Sequence, residues 1–272
     1  MAASDLRAFL ERENRAVLVR VAAARGSTPR DMDAWMAVAP DALFGTIGGG
    51  QLEFLAIGRA RAILAGREAE GAWSQPLGPE IGQCCGGHVT LDFTLLDETG
   101  RERLLAQWNA ARAGMPHVYL FGAGHVGTAL AGALALLPVR TVVVETRADA
   151  LEALSGAIGD TVETRLAAMP EAVVREAPSG SAFIVLTHDH ALDFLIVSEA
   201  LKRDDAAYAG LIGSATKRAV FRRQWLEAGG GEDAFAGLVC PIGGAHLRDK
   251  RPAVIAALTA AEVMTALAAR GN

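Results

Sequence analysis

The chain has 272 residues, of which 51% are hydrophobic and 21% charged, which is enough apolar side chain for one large or two modest cores and a poor fit to disorder or coiled coil. Its 26 basic residues fall short of its 31 acidic ones, and the formal charge of −5 supplies no positive field to gather nucleic acid. The opening segment lacks the apolar core of a secretory signal, no later segment offers the uncharged length needed to cross a bilayer, and three cysteines, two of them adjacent, make no disulfide framework; the expectation is a cytoplasmic protein with reduced thiols and no membrane or nucleic-acid partner.

Ser4 is placed to cap a short helix carrying Leu6, Phe9 and Leu10 at helical spacing, and residues 16–23 read as a strand that Gly26, Ser27, Thr28 and Pro29 break. Residues 34–39 form a second extended stretch, which turns at Pro40 and Asp41 and runs through Leu43 and Phe44 to Gly48, Gly49 and Gly50. Residues 51–64 then read as a helix with Leu52, Leu55, Ala56, Ala62 and Ile63 on one side. Over 88–95, Val89, Leu91, Phe93 and Leu95 alternate with His88, Thr90, Asp92 and Thr94, the pattern of a strand with one buried face. A charged helix over 98–112 stops at Gly114, just before Pro116, and here the sequence divides into an N-terminal domain, 1–114, and a C-terminal domain, 115–272.

The grammar then changes. Residues 117–121, 140–145, 182–186, 208–212 and 237–240 are short apolar runs separated by helix-length segments, and Pro252 opens a closing helix that carries Val254, Ile255, Leu258 and Met264. Strands alternating with helices predict a parallel sheet covered on both faces. The expected class is α/β, a C-terminal Rossmann-like doubly wound sheet with a smaller N-terminal α+β domain.

Gly122-Ala123-Gly124-His125-Val126-Gly127 follows a strand, opens a helix and precedes a strand ending in Glu145, the setting of a dinucleotide-fold fingerprint in which glycines let the backbone approach a ligand phosphate. Ligands of such sheets sit beyond the carboxyl ends of the strands. There the sequence places Thr187-His188-Asp189-His190, then Gly213-Ser214-Ala215-Thr216-Lys217-Arg218, then Cys240-Pro241-Ile242-Gly243. Ser214 is a candidate N-cap, and Lys217 and Arg218 lie in a first helical turn where the helix dipole prefers acids, so a bound phosphate would compensate. His188 and His190 point to opposite faces of an extended segment and do not readily share one ion; either is a candidate acid or base. Gln83-Cys84-Cys85-Gly86-Gly87-His88 pairs two thiols with two glycines, which points to soft-ligand or sulfur chemistry, since adjacent cysteines chelate one tetrahedral zinc awkwardly. Gly45-Thr46-Ile47-Gly48-Gly49-Gly50 offers consecutive amides for an anion nest, or a tight strand-to-helix turn.

Together these segments resemble the xanthine dehydrogenase accessory proteins of the XdhC/CoxI family, over nearly the whole chain. The resemblance rests on Arg25-Gly26-Ser27-Thr28-Pro29-Arg30, the 45–50 turn with Glu53, the 78–87 segment containing Cys84 and Cys85, Thr187-His188-Asp189-His190, Gly210-Leu211-Ile212-Gly213-Ser214 with Thr216-Lys217-Arg218, and Cys240-Pro241-Ile242-Gly243. Asp31-Met32-Asp33-Ala34-Trp35 and Gly244-Ala245-His246-Leu247 depart from the family pattern. The resemblance implies a chaperone, not an enzyme, that binds molybdenum cofactor (molybdopterin), holds it while a cysteine desulfurase supplies its sulfido ligand, and inserts it into apo xanthine dehydrogenase; it also implies a homodimer. On that reading the turn of Gly122, Gly124 and Gly127 or the helix start at Ser214 and Lys217 takes the cofactor phosphate, Glu145 accepts from pterin N–H groups, His188 borders the site, and Cys84 or Cys85 meets molybdenum or a transferable sulfur. The alternatives are an NAD(P)-dependent oxidoreductase using His188 or His190, and a nucleotide-sensing regulator.

Overall fold

The computed structural model describes residues 6–25, 34–77, 87–158, 162–244 and 249–270. The chain divides into two compact units, Ala3–Ala111 and Arg112–Asn272.

In the first unit, helix α1 (Leu6–Arg12) leads into strands β1 (Val17–Arg25), β2 (Trp35–Val38) and β3 (Leu43–Gly45), helix α2 (Gly50–Leu64), strands β4 (Gly71–Leu77) and β5 (Gly87–Leu95), and helix α3 (Glu98–Ala113). The strands form one antiparallel sheet in the order β3-β2-β1-β5-β4. Period-two alternation decides its two faces. Val17, Val19 and Val21 of β1 and Val89, Leu91 and Phe93 of β5 pack on Leu52, Ala56, Ala60 and Ile63 of α2, while Leu18, Ala37 and Phe44 meet Leu6, Phe9 and Leu10 of α1 and Leu104 of α3. Strand β4 has no counterpart in the sequence reading. Its Gly71 and Pro76 argue against a strand, but it lies on the sheet edge, where a missing N–H is tolerated, and Trp73 faces Leu91 across the ladder.

The second unit runs β6 (His117–Phe121), α4 (His125–Leu134), β7 (Arg140–Glu145), α5 (Ala148–Ile158), β8 (Glu163–Leu166), α6 (Pro170–Glu176), β9 (Ala182–Val185), α7 (His190–Leu201), β10 (Tyr208–Leu211), α8 (Ala215–Glu227), α9 (Glu232–Ala236), β11 (Leu238–Val239) and α10 (Pro252–Arg270). All its strands are parallel, in the order β11-β10-β9-β6-β7-β8, so the winding reverses between β6 and β9. Tyr119, Phe121, Phe183 and Val185 face Val174 of α6, Ile196 of α7 and Phe221 of α8; Val118, Leu120 and Ile184 face Leu130 of α4, Leu154 of α5 and Val263 of α10. This is the doubly wound sheet that the alternating strands and helices implied. Strand β8 went unforeseen because all four of its residues are exposed and only its ladder to β7 defines it. Helix α10 is long and apolar enough to cross a bilayer by length and composition alone, but it is not uncharged, and Ala256, Ala260, Val263 and Leu267 bury one side of it in the unit's core. Glu262 in its middle accepts hydrogen bonds from the Tyr208 hydroxyl and the Gly243 N–H.

Candidate functional site

The first glycine turn is built largely by packing. Gly122 has φ of 120°, and a Cβ there would lie 2.5 Å from the Leu186 carbonyl oxygen; a Cβ on Gly127 would lie 2.1 Å from the Gly122 carbonyl oxygen. These two glycines let α4 start directly on the ends of β6 and β9. Gly124, the N-cap of α4, differs: its φ is −73° and a Cβ would meet nothing within 4 Å.

Glu145, at the end of β7, turns inward and is 5% exposed. Its carboxylate accepts from the N–H groups of Ala123 (3.0 Å), Thr146 (2.8 Å) and Arg147 (3.3 Å), and the Arg147 guanidinium donates to it at 3.3 Å. Burial alone would raise its pKa, but the Ala123 N–H, the Arg147 side chain and the Thr146 N–H outweigh it and hold the group at about 2. Among the described residues its oxygens are thus engaged by the glycine turn and by Arg147. The crevice between Gly122, Glu145, Thr187, His188 and Leu192 retains only ≈ 10 Å³, about the room of one water.

A carboxylate held at about 2 instead of near 4.5 contributes on the order of 3 kcal/mol at neutral pH. Because the folded value is the lower one, that contribution is complete above about pH 4.5 and is lost as pH falls toward 2. Glu145→Gln is expected to remove it, so the difference in urea-unfolding free energy between wild type and variant should hold level from neutral pH to about pH 5 and then shrink as pH falls to about 3. A constant difference across that range would contradict the assignment.

The histidine-bearing segment is a capping network. Asp189 accepts from the N–H groups of Ala191 and Leu192 and so caps α7, while Thr187 donates through its hydroxyl (2.7 Å) and its N–H (3.1 Å) to Asp193. Asp193 is fully buried and also binds the Lys217 ammonium, which in turn donates to the Ile212 carbonyl at 3.0 Å. The Lys217 charge is thus paired inside the unit, where it ties α7 to the turn after β10. His188 and His190 are exposed, and the described residues contain no group of three His, Cys, Asp or Glu side chains able to hold a metal. Asp193 was passed over in the sequence, where a single acid in the run Ala191-Leu192-Asp193-Phe194-Leu195-Ile196 is itself the sign of a buried, paired charge.

Ser214 caps α8 as expected, its hydroxyl accepting from the Lys217 N–H at 3.2 Å. Beside it an open cleft of ≈ 670 Å³ lies at the carboxyl ends of β10 and β11, lined by Ile212, Ser214, Arg218, Cys240, Pro241 and Lys250 among others. Burial pushes the Cys240 thiol up, against the pull of Lys217 and Arg218, and its peptide bond to Pro241 is cis. In the first unit the 45–50 turn also binds a carboxylate of its own: Glu53 accepts from Thr46 Oγ1 at 2.5 Å and from the N–H groups of Ile47 (3.0 Å) and Gly49 (3.1 Å). The expected anion nest is a closed turn with Glu53 as its anion. Cys84 and Cys85 lie outside the described residues.

A six-stranded parallel sheet in the winding order found here, with a glycine turn at its reversal point, defines a Rossmann-type domain. Residues 118–263 match the family model of the XdhC Rossmann domain and residues 9–71 that of the XdhC and CoxI family. The chain belongs to the XdhC/CoxI family. It is 28% identical over 257 residues to the protein YqeB of Escherichia coli K12, described as uncharacterized, covering 91% of this chain and 42% of that protein; the chain thus spans less than half the length of this curated relative. A crystal structure described as a xanthine dehydrogenase from Bacillus halodurans superposes with a TM-score of 0.78 at 17% identity, covering 99% of this chain and 97% of that one, a likeness of fold.

Proposed function

We propose that the chain is an accessory protein in xanthine dehydrogenase maturation, which takes molybdenum cofactor as cargo, holds it while a cysteine desulfurase supplies its sulfido ligand, and passes it to the apoenzyme in the cytoplasm, acting as a homodimer and without turnover of its own. The observation that carries this reading is membership of the XdhC/CoxI family through matches in both units. The cleft at the carboxyl ends of β10 and β11 has room for such a cargo. The oxidoreductase reading using His188 or His190 has less support, because the acidic residue of the fingerprint, Glu145, is already bonded to the glycine turn.

The thiol pair is assigned to the cargo's metal or to its incoming sulfur. Replacing Cys84 and Cys85 together by alanine is expected to abolish activation of apo xanthine dehydrogenase by cofactor-loaded protein in a purified system, with the circular dichroism spectrum unchanged. Wild-type activation by the double variant would remove the thiols from the function, and a wild-type protein that neither retains pterin nor activates the apoenzyme would refute the accessory role.

A further inference from the structure

The cleft at the ends of β10 and β11 carries positive charge that no described residue neutralises. Of the charged side chains around it, Asp249 is bound by Arg251, Arg222 pairs with Glu232, and Lys217 is bound to Asp193. Arg218 and Lys250 line the same cleft and have no carboxylate partner among the described residues. The Arg218 guanidinium rests 4.5 Å from the centre of the Phe235 ring, which fixes its position without cancelling its charge. The start of helix α8 lines the same cleft, with no acidic residue in its first turn and with the N–H groups of Ala215 and Thr216 lacking an acceptor among the described residues. The remaining lining is apolar, from Ile212, Pro241 and Ile255, with the Cys240 thiol beside them, and ≈ 670 Å³ suits a small molecule.

We propose that this cleft, and not the glycine-fingerprint crevice, is the ligand site of the C-terminal unit, and that it takes a phosphorylated heterocycle: the phosphate between Arg218, Lys250 and the start of α8, the ring against Pro241 and Ile255, and the Cys240 sulfur on the same wall. A phosphate monoester satisfies the two cations and the open amides at once, and a flat ring covers the apolar wall without needing further hydrogen bonds. This deepens the accessory reading above, on which it rests only for the identity of the natural cargo.

The test uses the full chain and reads the rate at which iodoacetamide alkylates Cys240, followed on its tryptic peptide by mass spectrometry. Guanosine 5′-monophosphate and inorganic phosphate are expected to slow that reaction, whereas guanosine and chloride at equal ionic strength leave it unchanged. In Arg218→Gln/Lys250→Gln the concentration of guanosine 5′-monophosphate needed for half-protection should rise by about tenfold or more, the loss expected for charge-assisted hydrogen bonds. Hydrogen exchange of the β6 and β9 amides, unchanged in the double variant, shows that the unit is still folded; if it is not, the single variants Arg218→Gln and Lys250→Gln are read in the same way. Absence of protection in the wild type, or equal protection in the variants, overturns the proposal. If the cleft fails this test while the wild-type protein still activates apo xanthine dehydrogenase, only the site is wrong; if the cleft passes while activation fails, only the accessory role is wrong.

Discussion

Replacing Gly127 by alanine is expected to destabilise the C-terminal unit by about 3 kcal/mol, because the new methyl group would sit 2.1 Å from the Gly122 carbonyl oxygen, a backbone atom that cannot swing aside as a side chain would. Gly122→Ala should be at least as damaging: the Cβ would meet the Leu186 carbonyl oxygen at 2.5 Å, and φ of 120° is a conformation that alanine resists. Gly124→Ala is the control. Its backbone is already extended and its surroundings are open, so only the small N-cap preference is lost, less than about 1 kcal/mol. Urea unfolding followed by hydrogen exchange on the amides of β6 and β9 separates these effects from the N-terminal unit. Equal losses at all three positions would defeat the packing account. The contrast also bears on ligand binding. If the first and third glycines serve the meeting of helix and strand, the motif reports the fold, and Gly124 is the member left for a ligand to explain.

Much of the fold was legible because burial imposes a period. The alternation of Val89, Leu91 and Phe93 and the apolar runs 117–121 and 140–145 coincide with strands whose faces are buried on one or both sides. Strands β4 and β8 both lie at a sheet edge but escaped notice for different reasons: β4 alternates in burial yet carries Gly71 and Pro76, which argue against a strand, whereas β8 is exposed throughout and only backbone pairing defines it. At the site, residue types were legible and their partners were not. Glu53, Glu145 and Lys217 each stood where a ligand group would stand, beside exposed amides or at a helix start, yet each is bound within the chain: Glu53 to its own turn, Glu145 across 22 residues to Ala123, and Lys217 across 24 to Asp193. A glycine-rich turn that exposes N–H groups attracts any carboxylate, and sequence spacing does not say whether that carboxylate comes from a ligand or from the next strand. Arg218 and Lys250 stand out only once these internal pairs have been subtracted.

The Asp193–Lys217 pair carries the other large expected effect. Asp193 is fully buried and Lys217 is 12% exposed, so neither charge can fall back on water. Asp193→Ala leaves a buried ammonium with only the Ile212 carbonyl and strips the Thr187 N–H of its acceptor, which is expected to cost about 3–5 kcal/mol. Lys217→Ala leaves an uncompensated carboxylate in the same place and should cost a similar amount. Replacing both, as Asp193→Ala/Lys217→Ala, removes the charges together, and the double variant is expected to be more stable than either single one, with a coupling energy above about 1 kcal/mol in a double-mutant cycle. Additive losses would mean that the two side chains act independently. The cycle also distinguishes two explanations of any loss of cofactor retention in Lys217→Ala. A lysine that bound phosphate itself would leave the double variant as defective as the single one, whereas a lysine that only holds the start of α8 in place should let the double variant recover retention in step with its stability.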